Sequence, residues 1–309
     1  LTPILIIAGP TASGKSKLAV ELARKLDGEI ISADSRQIYR GLDAGTAKPS
    51  KEERARVRHH LIDIIDPVEK YNAGRFARDA AGVIEKLVNE RKTPIVCGGT
   101  GFYIQALVRP FFSEPESLDR RKKEVRLRLK EMYEKKGAEA LHGELAGLDP
   151  ESAARLHPND FQRVSRALEL YHLSGRTMTQ LLSEPQTESP YVPFTILLDP
   201  QADQLKEAIH LRSKKFFNSG WPEEVRALLA SGVSPDAPGL QGLGYKEVID
   251  LVKGKIGRKE TLERIIRKTW QYARRQRSWF KVRRAEMNVD PKNLAPEEII
   301  SLWSAHCSR

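Results

Sequence analysis

Gly9, Gly14, Lys15 and Ser16 stand at the spacing G-x-x-x-x-G-K-[ST] within GPTASGKS (9–16), directly after the apolar run Ile4-Leu5-Ile6-Ile7-Ala8. A short buried strand, a glycine-bearing turn and a helix aim successive backbone N–H groups and the positive end of the helix dipole at one point, where an anion belongs. Gly14 lets the backbone pass close to phosphate oxygens, and Lys15 adds a mobile positive charge. The Ser16 hydroxyl is placed to ligate a magnesium ion on the same phosphates. The loop alone leaves three uses open: ATP hydrolysis, phosphoryl transfer, or a diphosphate that serves as leaving group.

Such a loop needs a scaffold, and the first hundred residues supply one by alternating strand and helix. After the first strand, Leu18, Ala19, Leu22 and Leu26 recur at helical spacing over 15–26. A second strand spans Glu29 to Ala33, a helix Ala73 to Glu90, and a third strand Pro94 to Cys97. This pattern predicts an α/β fold, a doubly wound parallel sheet whose ligands collect at the carboxyl ends of the strands. Besides the loop, two strand ends are polar: ADSRQIY, with Asp34, Ser35 and Gln37, and GGTG at 98–101. Asp199, closing TILLD, could be a magnesium-holding strand end, but Pro200 follows at once and the polar ends cluster elsewhere.

From Leu118 to Leu182 only helical periodicity appears, with Asn159 or Asp160 as a cap and Gly175 as a stop for one helix. Strand character returns at YVPFTILLDP. The expected division is an α/β core over 1–112, a helical insertion over 113–190, and a second part of the core with basic carboxyl-terminal helices over 191–309.

The formal charge of +11 is concentrated: Gly254 to Arg284 holds twelve Lys or Arg against two Glu, a net of +10. Leu262, Ile265, Ile266, Thr269 and Ala273 fall on one helical face there, with Arg264, Arg267, Lys268, Gln271, Arg274 and Arg275 around the others. The interleaved Trp270, Tyr272, Trp279 and Phe280 read as anchors to the core, whereas the charge favours contact with a polyanion. The insertion is near neutral, with 13 basic and 14 acidic residues from Ser113 to Pro190. No apolar run approaches the ~18 residues of a membrane span, and a core strand starts almost at Leu1 where a signal peptide would stand. An initiator segment is expected to precede Leu1. Two cysteines, Cys97 and Cys307, form neither a disulfide framework nor a zinc site, which points to a reducing, cytoplasmic setting.

Seven segments in order carry a resemblance: GPTASGKS (9–16), ADSRQIYRGLDAGTAKP (33–49), HHLIDI (59–64), GGTGFYIQAL (98–107), HPNDFQRVSRALELY (157–171), GLGYKEV (242–248) and RRQRSWFK (274–281). Together the chain resembles the bacterial tRNA dimethylallyltransferases over nearly its whole length. The resemblance implies a P-loop NTPase-like core with a helical insertion. It also implies transfer of a dimethylallyl group from its diphosphate to N6 of the adenosine next to the anticodon. Gly9, Pro10, Thr11, Ala12, Ser13, Gly14, Lys15 and Ser16 would then hold the diphosphate with Mg2+ on Ser16, Thr11 and Ser13 adding hydroxyls. Arg212 matches a diphosphate clamp; one turn earlier, where many relatives carry a second arginine, stands Ala208, so part of the clamp is either missing or supplied by another cation such as Lys214. Asp34 resembles the general base, although on position alone capping the next helix is equally open. Thr100 would orient diphosphate or substrate. The tRNA contacts carried over are Asp34, Ser35, Arg36, Gln37 and Thr100 around a flipped adenine, then Arg126, Gln162, Arg163, Val164, Ser165 and Arg166 on the insertion, which would read the anticodon stem-loop.

Three other readings remain. An isopentenyltransferase for free adenine nucleotides would need no polyanion surface, a P-loop kinase for a small metabolite would need an adenine-recognition signal that is not visible, and a non-catalytic RNA-binding module would leave the loop and Asp34 unexplained. The expected protein is a monomer that requires no protein partner and no membrane.

Overall fold

The computed structural model describes residues 1–109, 119–184, 188–283, 285–293 and 295–308. The boundary placed between 112 and 113, and Arg284 at the end of the basic segment, lie outside them. The chain forms two compact units, Leu1–Pro110 with Glu188–Arg309, and Phe111–Thr187.

Among the described residues, the first unit is built on six strands, β1 (Thr2–Ala8), β2 (Gly28–Ser32), β3 (His59–His60), β4 (Thr93–Gly98), β5 (Tyr191–Leu198) and β6 (Met287–Val289). They pair in the order β3-β2-β4-β1-β5-β6, every pair parallel. β1 lies in the middle and reads as an unbroken apolar run because both of its faces are covered. Ile4, Ile6 and Ala8 enter one core and Leu5 and Ile7 the other. Among the described residues, four helices fall in the first part of the chain: α1 (Lys15–Lys25), α2 (Lys51–Arg56), α3 (Ala73–Asn89) and α4 (Gly101–Val108). α1 covers one face through Leu18, Ala19, Leu22 and Ala23. α3 covers the other through Phe76, Ala80, Ile84 and Leu87, and Asn72 starts it by accepting from Arg75 N at 2.9 Å.

The second unit is helical: α5 (Asp119–Leu148), interrupted at Gly137 (φ 82°), α6 (Pro150–Arg155), α7 (Phe161–Ser174) and α8 (Met178–Ser183). Its own core gathers Leu129, Leu141, Leu145, Val164 and Leu168. Asp160 caps α7 and Gly175, at φ 72°, ends it, as their residue types predict.

The chain then returns to the first unit with α9 (Ala202–Asn218), α10 (Trp221–Ala230), α11 (Tyr245–Val252), α12 (Arg258–Lys281) and α13 (Pro296–Cys307). Helices α9 to α12 and the segment 38–42 share a third core around Ile38, Leu42, Phe217, Trp221, Tyr245 and Ile265. The edge strands β3 and β6 were not predicted: at two and three residues, none of them buried, they carry no apolar run of their own. Among the described residues no helix is long and apolar enough to cross a membrane.

Candidate active site

The phosphate-type loop leaves β1 through Gly9, at φ 143°, where an added Cβ would lie 2.4 Å from the Leu198 carbonyl oxygen. Only glycine fits that crossing. Gly14, at φ 89°, then turns the chain into α1. The Lys15 ammonium bends back to donate to the Pro10 carbonyl and lies 3.4 Å from Ser13 Oγ. Burial, aided by the nearby Arg212 guanidinium and opposed by Cys97 and Asp34, pushes the Lys15 amine down to about 8. Arg212, on α9, donates to Thr11 Oγ1, and burial brings its own pKa to about 10. Both cations are thus half-buried beside one loop, and their incomplete solvation favours capture of an anion.

Lys15, Ser16, Asp34, Arg212, Tyr272 and Arg275 share the wall of one cavity of about 400 Å³, all within the first unit. Thr11 also reaches this wall, whereas Ser13 is 3% exposed and its hydroxyl faces Lys15. Asp34 lies two residues beyond the end of β2, and its Oδ1 accepts from Arg36 N at 2.8 Å, so it caps a tight turn. No helix begins there, which removes the helix-cap alternative. Ser35, Arg36 and Gln37 face the same cavity. The Gln37 amide is committed within the fold: Nε2 donates to Thr46 and Ala47 carbonyls at 3.2 and 3.0 Å, and Oε1 accepts from Ser32 Oγ at 2.9 Å. Arg36 donates to the Pro238 carbonyl at 2.9 Å.

Two expectations need correction. Thr100 does not reach the cavity wall; its Oγ1 accepts from Ser35 N at 3.1 Å and hydrogen-bonds Tyr272, so it braces the turn that carries Asp34. Lys214 is exposed on α9 and does not line the cavity, whereas Arg275 of α12 does. Asp199 does not reach the wall either: its Oδ1 lies 2.7 Å from Arg277 Nε and its Oδ2 accepts from Arg277 Nη2 at 3.2 Å.

Sequence reasoning missed how deeply α12 enters the site. Its buried stripe runs Thr261, Ile265, Thr269, Ala273, Gln276 and Phe280, and Tyr272, Arg275 and Gln276 line the cavity. A glutamine falling at helical spacing on the inward face, among the apolar and threonine positions, was the available signal. Burial raises the Tyr272 phenol to about 12, helped by the Asp34 charge. Leu262 and Ile266, expected on the inner face, are half-buried at its margins, and Arg267, Gln271, Arg274 and Arg275 are exposed. Trp279 packs over Gly101, where an added Cβ would stand 2.0 Å from its Nε1, and Arg283 lies 3.6 Å above its ring. The aromatics anchor the helix while the arginines remain at the surface.

In the second unit, Gln162 and Arg163 are exposed, and Ser165 and Arg166 half-buried. Val164 departs from the expectation for a contact residue: at 0% exposure its side chain fills the unit's core. Arg126 makes a two-pronged pair with Glu169, 2.9 Å on each arm, and Arg166 donates to the same carboxylate at 2.7 Å. Glu169, itself 5% exposed, orients both guanidinium groups.

A family model described as IPP transferase matches residues 37–283. The tRNA dimethylallyltransferase of Geobacter sulfurreducens is 42% identical over 281 residues, 91% of this chain and 89% of its own. That of Halorhodospira halophila is 44% identical over 90% of each chain. Among solved structures, the full-length tRNA isopentenylpyrophosphate transferase from Bacillus halodurans superposes with a TM-score of 0.72 at 33% identity, over 100% of this chain and 96% of that one. A eukaryotic dimethylallyltransferase, solved acting on tRNA, gives 0.79 at 28% identity over 91% of this chain and 70% of its own.

Proposed function

The chain belongs to the IPP transferase family, and from that premise we infer that it moves the dimethylallyl group of dimethylallyl diphosphate to N6 of the adenosine on the 3′ side of the anticodon in tRNA. The carrying observation is that Lys15, Ser16 and Arg212 share one cavity with Asp34. A carbon–oxygen bond breaks and a carbon–nitrogen bond forms. Lys15, Arg212 and the loop amides meet the charge that develops on the departing diphosphate. The exocyclic amine is a poor nucleophile because its lone pair is delocalised into the ring. Asp34, as general base, takes the N6 proton and raises its reactivity.

Mg2+ fits the exposed Ser16 hydroxyl at the cavity wall. It is a cation that binds through one or two protein oxygens, phosphates and retained waters. When bound it would neutralise diphosphate charge.

The acceptor adenine has to leave its stack to reach the cavity. Asp34, Ser35 and Arg36 would surround it, Gln37 and Thr100 fixing that turn from behind. The exposed arginines of α12 suit the RNA backbone, and Gln162, Arg163, Ser165, Arg166 and Arg126 offer amide, hydroxyl and guanidinium groups to the anticodon stem-loop. A monomer in the cytoplasm goes with this reading.

The test is incubation with magnesium, unmodified tRNA and labelled dimethylallyl diphosphate, with AMP and ATP in parallel tubes. Label in tRNA alone is the expected result. Label in AMP would install the free-nucleotide enzyme instead, ADP release a kinase, and neither product an RNA-binding module.

A further inference from the structure

Thr11 and Gly99 lie on different strand-end loops, and one buried side chain from α12 ties them together. Gln276, 6% exposed, accepts from Thr11 N through Oε1 at 2.8 Å and donates from Nε2 to the Gly99 carbonyl at 2.8 Å. Both of its polar atoms are used, as burial requires. Gly99 admits this approach only as glycine, since an added Cβ would stand 2.4 Å from Nε2. The bond takes the Thr11 amide out of the set that can face phosphate. Position 11 is therefore an anchoring point of the loop, with its hydroxyl held separately by Arg212 of α9.

The second loop carries the next residue, Thr100, whose hydroxyl holds the Asp34 turn at Ser35 N. One amide thus fixes the diphosphate loop relative to the loop that braces the base. We propose that Gln276 is a positioning residue for prenyl transfer, setting the distance between the phosphate loop and Asp34. The proposal rests on the reading of the site as a prenyltransferase. It requires that losing the amide reduce the chemical step more than the binding of either substrate. A misplacement of roughly 1 Å costs on the order of 100-fold in rate where orientation governs reaction.

Gln276→Met keeps the side chain's length and removes both hydrogen bonds; Gln276→Glu keeps the acceptor for Thr11 N and loses the donor to Gly99. Single-turnover rate, KM for dimethylallyl diphosphate, Kd for tRNA and Tm are measured on the full chain beside wild type. The expected result for Gln276→Met is a single-turnover rate reduced about 10- to 100-fold, with tRNA Kd and diphosphate KM each within about 3-fold, and an intermediate rate for Gln276→Glu. Gly99→Ala, which drives a methyl into the amide, gives the same loss, and combining it with Gln276→Met adds nothing further.

A folded Gln276→Met with wild-type rate overturns the proposal, as does a loss shared equally by rate, both affinities and Tm, which would mark a structural role. If Gln276→Met fails to fold, the rate of Gly99→Ala against wild type decides alone. The wild-type control keeps the two readings apart: a wild type silent toward tRNA would overturn the proposed function and the proposal that rests on it, whereas an active wild type beside an unaffected Gln276→Met overturns the proposal alone.

Discussion

Lys15 points its ammonium back at the Pro10 carbonyl of its own loop, and it does so beside Arg212. A charged amine so buried is poorly solvated, which lowers its pKa to about 8 from 10.5. In the unfolded chain it stays protonated up to its ordinary value, so between pH 8 and 10.5 the unfolded state binds more protons. Stability of the ligand-free protein therefore rises with pH across that window, and the cost of the buried charge is present in full below it. Lys15→Met should raise Tm of the ligand-free protein at pH 7 and flatten its pH dependence between 8 and 10, read by differential scanning calorimetry. Diphosphate affinity should show the opposite trend, weakening as pH passes 8, because the anion selects the protonated amine.

Asp34 accepts from Arg36 N and faces the cavity. Asn can make the same turn contact and cannot take a proton at neutral pH. Asp34→Asn should lower the single-turnover rate about 10²- to 10⁴-fold while tRNA affinity by filter binding stays within a few-fold. Equal loss of rate and affinity would make Asp34 a binding residue.

Arg212 is half-buried and reaches the loop through Thr11 Oγ1. A hydrogen bond to a charged group contributes about 1.5–3 kcal/mol. Arg212→Gln should therefore raise KM for dimethylallyl diphosphate by roughly 10- to 150-fold. Arg212→Lys retains charge and should lose less, and neither should alter tRNA Kd. Steady-state kinetics with each substrate varied in turn separates these outcomes.

What the sequence disclosed follows from where each signal resides. β1, the loop and α1 were legible because an apolar run, two glycines and a helical stripe are local properties of consecutive residues. β3 and β6 were not, since two- and three-residue edge strands take their pairing from a neighbour. Asp34 could be placed at a strand end, yet its turn-capping bond to Arg36 N depends on a backbone that β2 and β4 jointly fix. Gln276 and Tyr272 were hidden among basic neighbours, because the face of α12 that meets the loops is set by packing against α9, α11 and α4. Val164 shows the converse: it sits within a polar run that invites a binding role, and the helix period turns it inward.

Asp199 offers the sharpest choice between two roles for one carboxylate. As an acid at the end of β5 it invites a metal, but both its oxygens face the Arg277 guanidinium, and it lies off the cavity wall. Ser16 presents its hydroxyl at that wall. If Mg2+ sits on the diphosphate, its apparent affinity depends on Ser16 and is indifferent to Asp199. Ser16→Ala should raise the magnesium concentration for half-maximal activity by about 10-fold, the scale of one lost hydrogen bond or ligand contact of ~1.4 kcal/mol. Asp199→Asn should leave it within about 2-fold and lower Tm instead, because the half-buried Arg277 then loses its charged partner. A magnesium titration of both variants at saturating dimethylallyl diphosphate reads the difference directly. A large shift for Asp199→Asn with an unmoved Tm would reverse the assignment, making the ion pair with Arg277 a resting state from which the carboxylate is released to the metal.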